Sequence, residues 1–399
     1  ALVEPLANED LVVQTMPEVS PTKWHLGHTT WFFETFVLRA AAPDYRPFDP
    51  RYHHLFNSYY QVIGEPPPRE RRGQWSRPTV SEVRDYRRHV DAAMRALLSG
   101  ASDELLAAHA ATIEVGIHHE EQHQELILTD VKHVLASNPV GADYRRRPAR
   151  TPGAAAPLEW RDQAGGTIAL GHPGGEFSYD NEQPRHRVWL EPFQLASRAV
   201  TCGEWLAFIT DGGYLKPELW LAEGFDACVA GRWRAPLYWE ARDGAWTIAT
   251  LDGRRPLDES EPVCHVSWFE ADAFARFSGA RLPSEAEWEL AASGQPVRGN
   301  FVESGALHPR PATNPPGGLA QLFGDVWEWT ASPYRPYPGY RLFQGALAEY
   351  NGKFMCNQFV LRGGSCASPE RHLRATYRNF FPPTARWQFT GLRLARDGR

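Results

Sequence analysis

Residues 112–135 have the sequence TIEVGIHHEEQHQELILTDVKHVL. The stretch contains no proline, and its apolar residues recur at helical intervals, which predicts one continuous helix. Because His119 and His123 are four residues apart, their imidazoles lie on one face of that helix, one turn apart. Such a pair can chelate a divalent metal ion, so the stretch predicts a helical first half that carries a metal site.

Other polar residues of the same stretch can support the histidine pair. His118 adjoins the pair but points to another side of the helix, so we interpret it as structural. Four acidic side chains can accept hydrogen bonds from the ring N–H groups of metal-binding histidines. These are Glu120, Glu121, Glu125 and Asp130.

Residues 119–123 have the sequence HEEQH, which also matches the H-E-x-x-H pattern of zinc proteases. A catalytic metal needs a third protein ligand and an open position. The compact protease motif requires Gly where Leu126 stands and His where Thr129 stands, and the helix is predicted to end at Asn138-Pro139 before a downstream glutamate ligand. A zinc metalloprotease is therefore disfavoured, but it stays an alternative.

An upstream helix offers a better third ligand. Ser20 and Pro21 predict its start, with Ser as the N-cap and Pro at the first helical position. His25 and His28 share one face of this helix, so either can be the ligand while the other packs in the core. Two antiparallel helices can deliver one of them to the later pair. Three neutral imidazoles suit iron, zinc or copper, so the ligands alone do not name the metal.

Length and composition restrict the class of protein. A chain of 399 residues is long for one core, which predicts two domains. The 42% of apolar residues, with 15 Trp, indicate a well-packed globular protein, and the net charge of −6 argues against a nucleic-acid partner. No apolar run is long enough to span a bilayer and the start does not resemble a signal peptide, so we expect no membrane partner and a cytoplasmic protein. The oligomeric state stays unknown.

The cysteines suggest neither a disulfide scaffold nor a cysteine zinc site. There are five of them, an odd number, and no C-x-x-C pair occurs. Cys356 and Cys366 lie in a motif-rich part of the sequence, and we expect both to pack rather than to line a site.

The pattern of the sequence changes near residue 150. Residues 144–157 combine an arginine run with TPGAAAP, which is typical of an interdomain connection. We therefore predict a helical domain over residues 1–150 and a second domain over 151–399, together an α+β multidomain protein. In the second domain short apolar stretches alternate with turns, and helices are predicted over Ser267–Ser278 and from Pro283 onward.

Several motifs of the second half resemble the formylglycine-generating-enzyme domain, which has a C-type-lectin-like fold. They occur in that family's order: PVCHVSW (262–268), RLPSEAEWE (281–289), GDVWEW (324–329), RGGS (362–365) and GLR (391–393). The first half resembles a DinB-like four-helix bundle. Together with SPTKWHLGH (20–28) and residues 119–123, the chain resembles the ergothioneine-biosynthesis sulfoxide synthases, including their selenoneine synthase branch. The resemblance covers nearly the whole chain.

This resemblance implies a non-haem iron(II) enzyme that uses O2 as co-substrate. Such an enzyme joins a thiol sulfur to C2 of the imidazole of Nα-trimethylhistidine (hercynine) and releases a sulfoxide. The metal ligands of the family map onto His28, His119 and His123, which leaves His25 as the packed histidine. Gln122 corresponds to a position that contacts the substrate imidazole, and Asn379 to one near the substrate's carboxylate or ammonium end.

Simple chemistry suggests further substrate contacts. Three protein ligands leave iron(II) with up to three free positions, enough for an imidazole nitrogen, a thiolate and O2. A trimethylammonium group cannot donate a hydrogen bond, so aromatic faces should bind it. The candidates, each of which can instead be a core residue, are Trp31, Phe32, Phe380, Phe381 and Trp387.

Tyr59 and Tyr60 resemble the paired tyrosines of one branch of these synthases. A phenol near the metal can supply a proton or an electron, which makes the pair a catalytic candidate. The alternative is two tyrosines on a packed turn. Arg69, Arg71 and Arg72 form a basic cluster that can hold the carboxylate of the thiol donor, or can be a solvated loop.

The donor and two other classes of function stay open. Cysteine, γ-glutamylcysteine and a selenosugar are all possible donors, and uncharged Phe381 disfavours a γ-glutamyl group, so cysteine is favoured. A formylglycine-generating enzyme needs two cysteines in its last domain, but here Cys366 directly follows RGGS and the usual later cysteine is missing. A lectin-like binding module without catalysis would leave the three histidines without a purpose.

Overall fold

A computed structural model describes residues 1–147, 153–313 and 317–398. The chain divides into two compact units. The first unit contains Ala1–Arg145 and Phe343–Glu349, and the second contains Arg146–Leu342 and Tyr350–Arg399. The domain boundary predicted at residue 150 lies outside the described residues.

The first unit is helical. Its α-helices are α1 (Thr22–Phe33), α2 (Arg39–Ala41), α3 (Tyr52–Leu55), α4 (Val80–Gly100) and α5 (Asp103–Ala136). A π-helical segment, Glu34–Leu38, continues α1 into α2, and 3-10 turns cover Asp10–Val12, Arg69–Gln74 and Gly345–Glu349. Helix α1 packs against both α4 and α5.

The continuous helix predicted over residues 112–135 is confirmed as the greater part of α5. This helix begins earlier than predicted, because Ser102 caps it by accepting a hydrogen bond from the backbone N–H of Leu105. Gly116 lies where α5 meets α1. A Cβ atom at this position would lie 2.7 Å from Phe33 and 2.9 Å from Phe32, so the missing side chain lets the two helices approach closely.

The predicted start of α1 is wrong by one residue. The helix begins at Thr22, and Ser20 makes no capping hydrogen bond. Its hydroxyl instead accepts a hydrogen bond from Nη1 of Arg72 at 3.0 Å, and its backbone N–H donates to Oδ2 of Asp130 at 2.8 Å. The hydroxyl and the backbone N–H of Ser20 are therefore used in tertiary contacts rather than at the helix terminus.

The second unit mixes helices with small sheets. Its helices are α6 (Cys202–Thr210), α7 (Ala222–Ala230), α8 (Trp268–Phe277) and α9 (Glu285–Ala292). Its strands are β1 (Trp160–Gln163), β2 (Gly166–Leu170), β3 (His186–Leu190), β4 (Phe193–Ala196), β5 (Trp239–Arg242), β6 (Ala245–Thr250), β7 (Gly253–Pro256), β8 (Trp327–Pro333), β9 (Phe359–Arg362), β10 (Asn379–Phe381), β11 (Thr390–Gly391) and β12 (Ala395–Asp397).

Most strand pairs of the second unit are antiparallel. The strand orders are β1-β4-β12, β2-β3, β5-β6-β7 and β10-β9-β8-β11, and β11 joins β8 in parallel. The two predicted helices are confirmed as α8 and α9. Ser267 and Ser284 cap them in capping boxes, in which Glu270 and Glu287 return the hydrogen bond.

Buried ion pairs connect the sequence motifs of the second unit. Arg393 and Glu328 are fully buried and 2.7 Å apart. Arg362, at the end of β9, pairs with Glu285 and Glu289 of α9, each at 3.0 Å. A charge removed from water needs such a partner, so the motifs specify which elements meet in the core. The predicted α+β, two-domain organisation is confirmed.

Among the described residues, no helix combines the length and the apolar character that crossing a lipid bilayer requires.

Candidate metal centre

Three histidines from two helices converge inside the first unit. His28 lies on α1, and His119 and His123 lie one turn apart on α5. One ring nitrogen from each lies within 4.8 Å of the other two. The Nε2 atoms of His28 and His119 are only 3.1 Å apart, and all three rings are buried. The three nitrogens can therefore face a single ion.

Burial keeps the three rings neutral. It lowers the pKa of His28 and His123 well below the ordinary value, and it lowers the pKa of His119 to about 3. The neighbouring histidines contribute in the same direction, because each disfavours a positive charge on the others. Neutral imidazoles present a lone pair, which is the form that binds a metal ion.

Hydrogen bonds orient two of these rings. Nδ1 of His28 lies 2.7 Å from the carbonyl oxygen of Phe56. Since a carbonyl only accepts, this nitrogen carries the proton and the lone pair is on Nε2, the atom that faces His119. Nδ1 of His123 lies 2.8 Å from Nδ1 of His25, whose Nε2 lies 2.9 Å from Oδ2 of Asp130. The donor set thus fits a metal ion.

An aromatic and cationic stack adjoins His28. The ring of Trp24 stacks on that of His28 at 4.6 Å between centroids, with 13° between the planes. The guanidinium of Arg72 lies 3.4 Å from the centroid of the Trp24 ring, a cation–π contact, and Arg72 is buried. Of the predicted arginine cluster, Arg72 thus reaches the surroundings of the histidines. Arg69 and Arg71 are exposed, and Arg69 donates to the carbonyl of Glu18.

Comparison with known proteins now identifies the family. The sulfatase-modifying factor enzyme 1-like domain matches residues 160–314 and 310–398, and the DinB superfamily matches residues 1–127. The hercynine oxygenase of Mycobacterium tuberculosis is 32% identical over 416 residues, which covers 97% of this chain and 93% of that protein. The chain belongs to the hercynine oxygenase family. The resemblance drawn from the motifs is thereby confirmed.

Two further relatives match parts of this hercynine oxygenase family member. The formylglycine-generating enzyme of Streptomyces coelicolor is 30% identical over 305 residues and covers 62% of this chain and 94% of its own length. Ergothioneine biosynthesis protein 1 of Schizosaccharomyces pombe is 26% identical over 234 residues, which covers 55% of this chain and 28% of that protein. The full-length match is therefore to a hercynine oxygenase, while the formylglycine-generating enzyme matches a part.

In this hercynine oxygenase family member the predicted tyrosine pair is a stacked unit. The rings of Tyr59 and Tyr60 lie 4.6 Å apart and their hydroxyls 3.4 Å apart. Tyr60 is fully buried and its ring lies 5.7 Å from that of Trp31, which in turn stacks on His28 at 5.4 Å. Trp31 thus connects the tyrosines to the histidine cluster.

Trp31 and Phe32, proposed above as aromatic contacts for the substrate, are both fully buried. Phe32 lies 4.8 Å from His119 between ring centroids. The two side chains pack directly on two of the three histidines, so they form part of an apolar wall around the cluster.

The geometry disfavours the zinc protease alternative. Glu120, which would be the general base, forms an ion pair with Arg87, with N–O distances of 2.8 and 3.1 Å. The third histidine comes from the upstream helix α1. His118, interpreted above as structural, lies 3.2 Å from Glu121 through its Nδ1 atom.

The remaining predicted substrate residues are distributed over both units. Gln122 is half-buried on α5, next to His123. In the second unit Asn379 and Phe380 belong to β10, and Phe380 stacks on Tyr334 at 4.0 Å. The rings of Phe381 and Trp387 meet edge to face at 5.9 Å. Their roles in substrate binding stay predictions.

The packing prediction for the cysteines is half right. Cys366 is buried, whereas Cys356 is exposed. The error arises because Cys356 follows the 3-10 turn Gly352–Phe354 on a stretch between strands, where the residue type alone does not fix burial.

Two features of the centre escaped sequence reasoning, namely Trp24 and the carbonyl of Phe56, which hold His28. A third differs from the prediction. Asp130 was expected to accept from a metal-binding histidine, but it contacts His25, which had been predicted only to pack. Asp130 follows His123 by seven residues, so the two share one face of α5 two turns apart. That spacing is the signal that relates Asp130 to His123, but nothing in the sequence assigns His25 as the residue between them.

Proposed function

We propose that the chain is an iron(II)-dependent hercynine oxygenase of the sulfoxide synthase type. It would join the sulfur of a thiol to C2 of the imidazole of Nα-trimethylhistidine, a step in ergothioneine biosynthesis. The observation that carries this proposal is the cluster of three buried, neutral histidines, His28, His119 and His123. It occurs in a chain whose relatives include proteins named hercynine oxygenase and ergothioneine biosynthesis protein 1.

The overall reaction balances with O2 as the only oxidant. Forming the C–S bond removes one hydrogen from the thiol and one from C2 of the imidazole, a two-electron oxidation. Oxidising the sulfur to the sulfoxide removes two more electrons. One oxygen atom of O2 enters the sulfoxide and the other leaves as water with the two hydrogens, so four electrons reduce one O2.

The three histidines would hold the ferrous ion. When bound, this ion supplies a place for O2 and the two substrates to meet and activates O2. The chain supplies three uncharged ligands from two packed helices, which leaves positions for substrates. The rings of Trp24, Trp31 and Phe32 pack on the histidines and exclude water from them.

Charged and phenolic side chains of the first unit would act on the substrates. Arg72 is buried and stacks on Trp24, so its guanidinium is a suitable partner for the carboxylate of a thiol donor. The phenol groups of Tyr59 and Tyr60 contact each other and are candidates to deliver a proton to the reacting groups. In the second unit Asn379, Phe380, Phe381 and Trp387 are the candidates to bind hercynine.

The donor we favour is cysteine. Residue 381 is the uncharged Phe381, which would give no charge to the ammonium of a γ-glutamyl donor. γ-Glutamylcysteine and a selenosugar, the donor that would make the chain a selenoneine synthase, are outcomes of the following test.

The test is a reaction with defined components. Protein purified without oxygen and loaded with iron(II) is mixed with Nα-trimethylhistidine, O2 and each donor in turn, and products are followed by mass spectrometry. We expect a sulfoxide adduct with one thiol donor and none with His28→Ala. A carbon–selenium product would reassign the donor, and no new carbon–sulfur or carbon–selenium bond with any donor would refute the proposal. Stoichiometric copper would favour a formylglycine-generating enzyme instead.

The tyrosines are tested separately. Replacing Tyr59 or Tyr60 with Phe should redirect the reaction from the sulfoxide adduct towards simple thiol oxidation, because the proton donor is lost. Tyr45→Phe is the matched control, since Tyr45 donates to Glu34 at 2.6 Å instead. Product ratios that are unchanged in both single variants would remove the pair from the mechanism.

A further inference from the structure

We propose that His25 and Asp130 are positioning residues that fix the ring of His123 in the one tautomer able to bind a metal through Nε2. This inference rests on the proposed metal site and assigns two residues to it that are not ligands. It is carried by a chain of short contacts from Asp130 through His25 to His123.

The chain begins at a carboxylate that is held in place. Oδ2 of Asp130 accepts a hydrogen bond from the backbone N–H of Ser20 at 2.8 Å and lies 2.9 Å from Nε2 of His25. Because Oδ2 acts as an acceptor towards Ser20, it is also the acceptor towards His25, and Nε2 of His25 donates to it. Asp130 and His25 are both 2% exposed, which means that no water competes for this contact.

The next contact joins the two imidazoles, because Nδ1 of His25 lies 2.8 Å from Nδ1 of His123. One of these nitrogens donates a hydrogen bond and the other accepts it. A histidine that binds a metal through Nε2 carries its proton on Nδ1, so in the metal-binding form His123 is the donor and His25 is the acceptor. The ring of His123 then cannot turn without breaking this bond.

The arrangement parallels that of His28 with a different partner. The backbone carbonyl of Phe56 selects the same tautomer in His28. A side-chain substitution cannot remove this carbonyl. His123 receives its tautomer from two side chains, so that tautomer can be tested by mutation. A buried carboxylate and a second buried imidazole are expensive to desolvate, and apolar side chains would fill the space without that cost. A role in orienting His123 explains their presence.

The test measures cobalt(II) binding to metal-free protein, independently of any reaction. His25→Leu removes the acceptor, and we expect the affinity for cobalt(II) to fall about 10- to 100-fold, as for other partners of metal-binding histidines. His25→Asn places a carbonyl oxygen near the position of Nδ1, so it should retain most of the affinity. Tyr86→Phe is the control, because it removes a different buried hydrogen bond of the first unit, to Glu34 at 2.8 Å, and should leave the affinity unchanged.

A second measurement needs no variant. Histidine-selective 15N labelling and long-range 1H–15N correlation spectra of the metal-free protein report which nitrogen of each ring is protonated. We expect His123 protonated on Nδ1 and His25 on Nε2. The opposite assignment for His123, or equal cobalt(II) affinity in wild type and His25→Leu, would overturn the inference while leaving the metal site intact. A wild-type protein that binds no cobalt(II) would overturn the proposed function itself.

Discussion

Replacing Gly27 with Ala should disturb both the stability of the protein and its metal site. Helix α1 passes the ring of Phe56 at this residue. A Cβ atom on residue 27 would lie 2.1, 2.4 and 2.5 Å from three ring atoms of Phe56. Carbon atoms in contact prefer separations of about 3.5–4.0 Å, so the ring and the helix would have to separate by about 1.5 Å.

The magnitude follows from two opposing terms. In a helix interior, Ala is favoured over Gly by about 1 kcal/mol. Overpacking a filled core costs about 1–3 kcal/mol. We expect a cost near the upper end, about 3 kcal/mol, because Phe56 is 2% exposed and its ring is enclosed by those of Tyr52 and Tyr86. The net loss in the free energy of unfolding is then about 2 kcal/mol.

The same displacement should reach the histidines. The carbonyl of Phe56 accepts the 2.7 Å hydrogen bond from Nδ1 of His28. Moving Phe56 by about 1 Å would lengthen that bond beyond hydrogen-bond range and free the His28 ring to turn. Loss of such a partner weakens metal binding about 10- to 100-fold.

Denaturant unfolding and cobalt(II) titration measure the two effects. The control is Gly100→Ala at the end of α4, because a Cβ there would meet no atom within 4 Å. This control should keep its cobalt(II) affinity and gain up to about 1 kcal/mol in stability. If Gly27→Ala matches the control in both measurements, the ring of Phe56 does not restrict the side chain at residue 27, and the prediction is refuted.

Two further predictions concern other contacts. The carboxylate of Glu349 accepts hydrogen bonds from the backbone N–H of Gln61, at 3.1 Å, and from that of the next residue. Loss of about 1 kcal/mol of hydrogen bonding in Glu349→Ala should speed amide hydrogen exchange at these two residues about fivefold. Unchanged exchange rates would contradict this prediction. Burial alone would raise the pKa of Glu261, but His308 and Arg255 hold it at about 2, below the ordinary 4.5. A carboxylate with a lowered pKa stabilises the fold above its unfolded pKa and loses that effect as the pH falls towards its folded pKa. The stability advantage of wild type over Glu261→Gln should therefore be about 3 kcal/mol at pH 7 and less than half of that near pH 3, and an equal advantage at both pH values would refute the reasoning.

Local sequence patterns predicted the helix that carries two of the three histidines. The relevant signals are the absence of proline, the apolar periodicity of residues 112–135 and the four-residue spacing of His119 and His123. All three reflect requirements within a single helix, so the local sequence is enough to recognise them. The choice between His25 and His28 could not be made this way. Both share one face of α1, and the structure uses both, one in the cluster and the other behind it.

Contacts between distant residues account for what local patterns missed. Ser20 has the residue type and position of a helix cap, but Arg72 and Asp130 occupy its hydroxyl and its amide. These partners are 52 and 110 residues away, so no local rule can identify them. The same holds for Phe56, whose carbonyl holds His28 across 28 residues.

The motifs of the second unit were recognisable because their charged residues are buried. Arg393 needs Glu328, and Arg362 needs Glu285, since a lone charge in these positions would be strongly destabilising. Each motif therefore restricts the residue type of another motif far away in sequence. A single motif is a weak signal, but the complete set in one chain indicates one fold.

The charge of the proposed centre constrains what binds there. Its three ligands are neutral. Arg72, which lies over the ring of Trp24, adds a positive charge close to His28. Asp130 contributes a negative charge, but behind His25 and on the side away from the ligand atom of His123. A divalent ion at the three histidines would thus keep most of its charge. Anionic groups, such as a thiolate and the carboxylate of its donor, would compensate that charge best, and this charge balance supports the proposal that one substrate is a thiol.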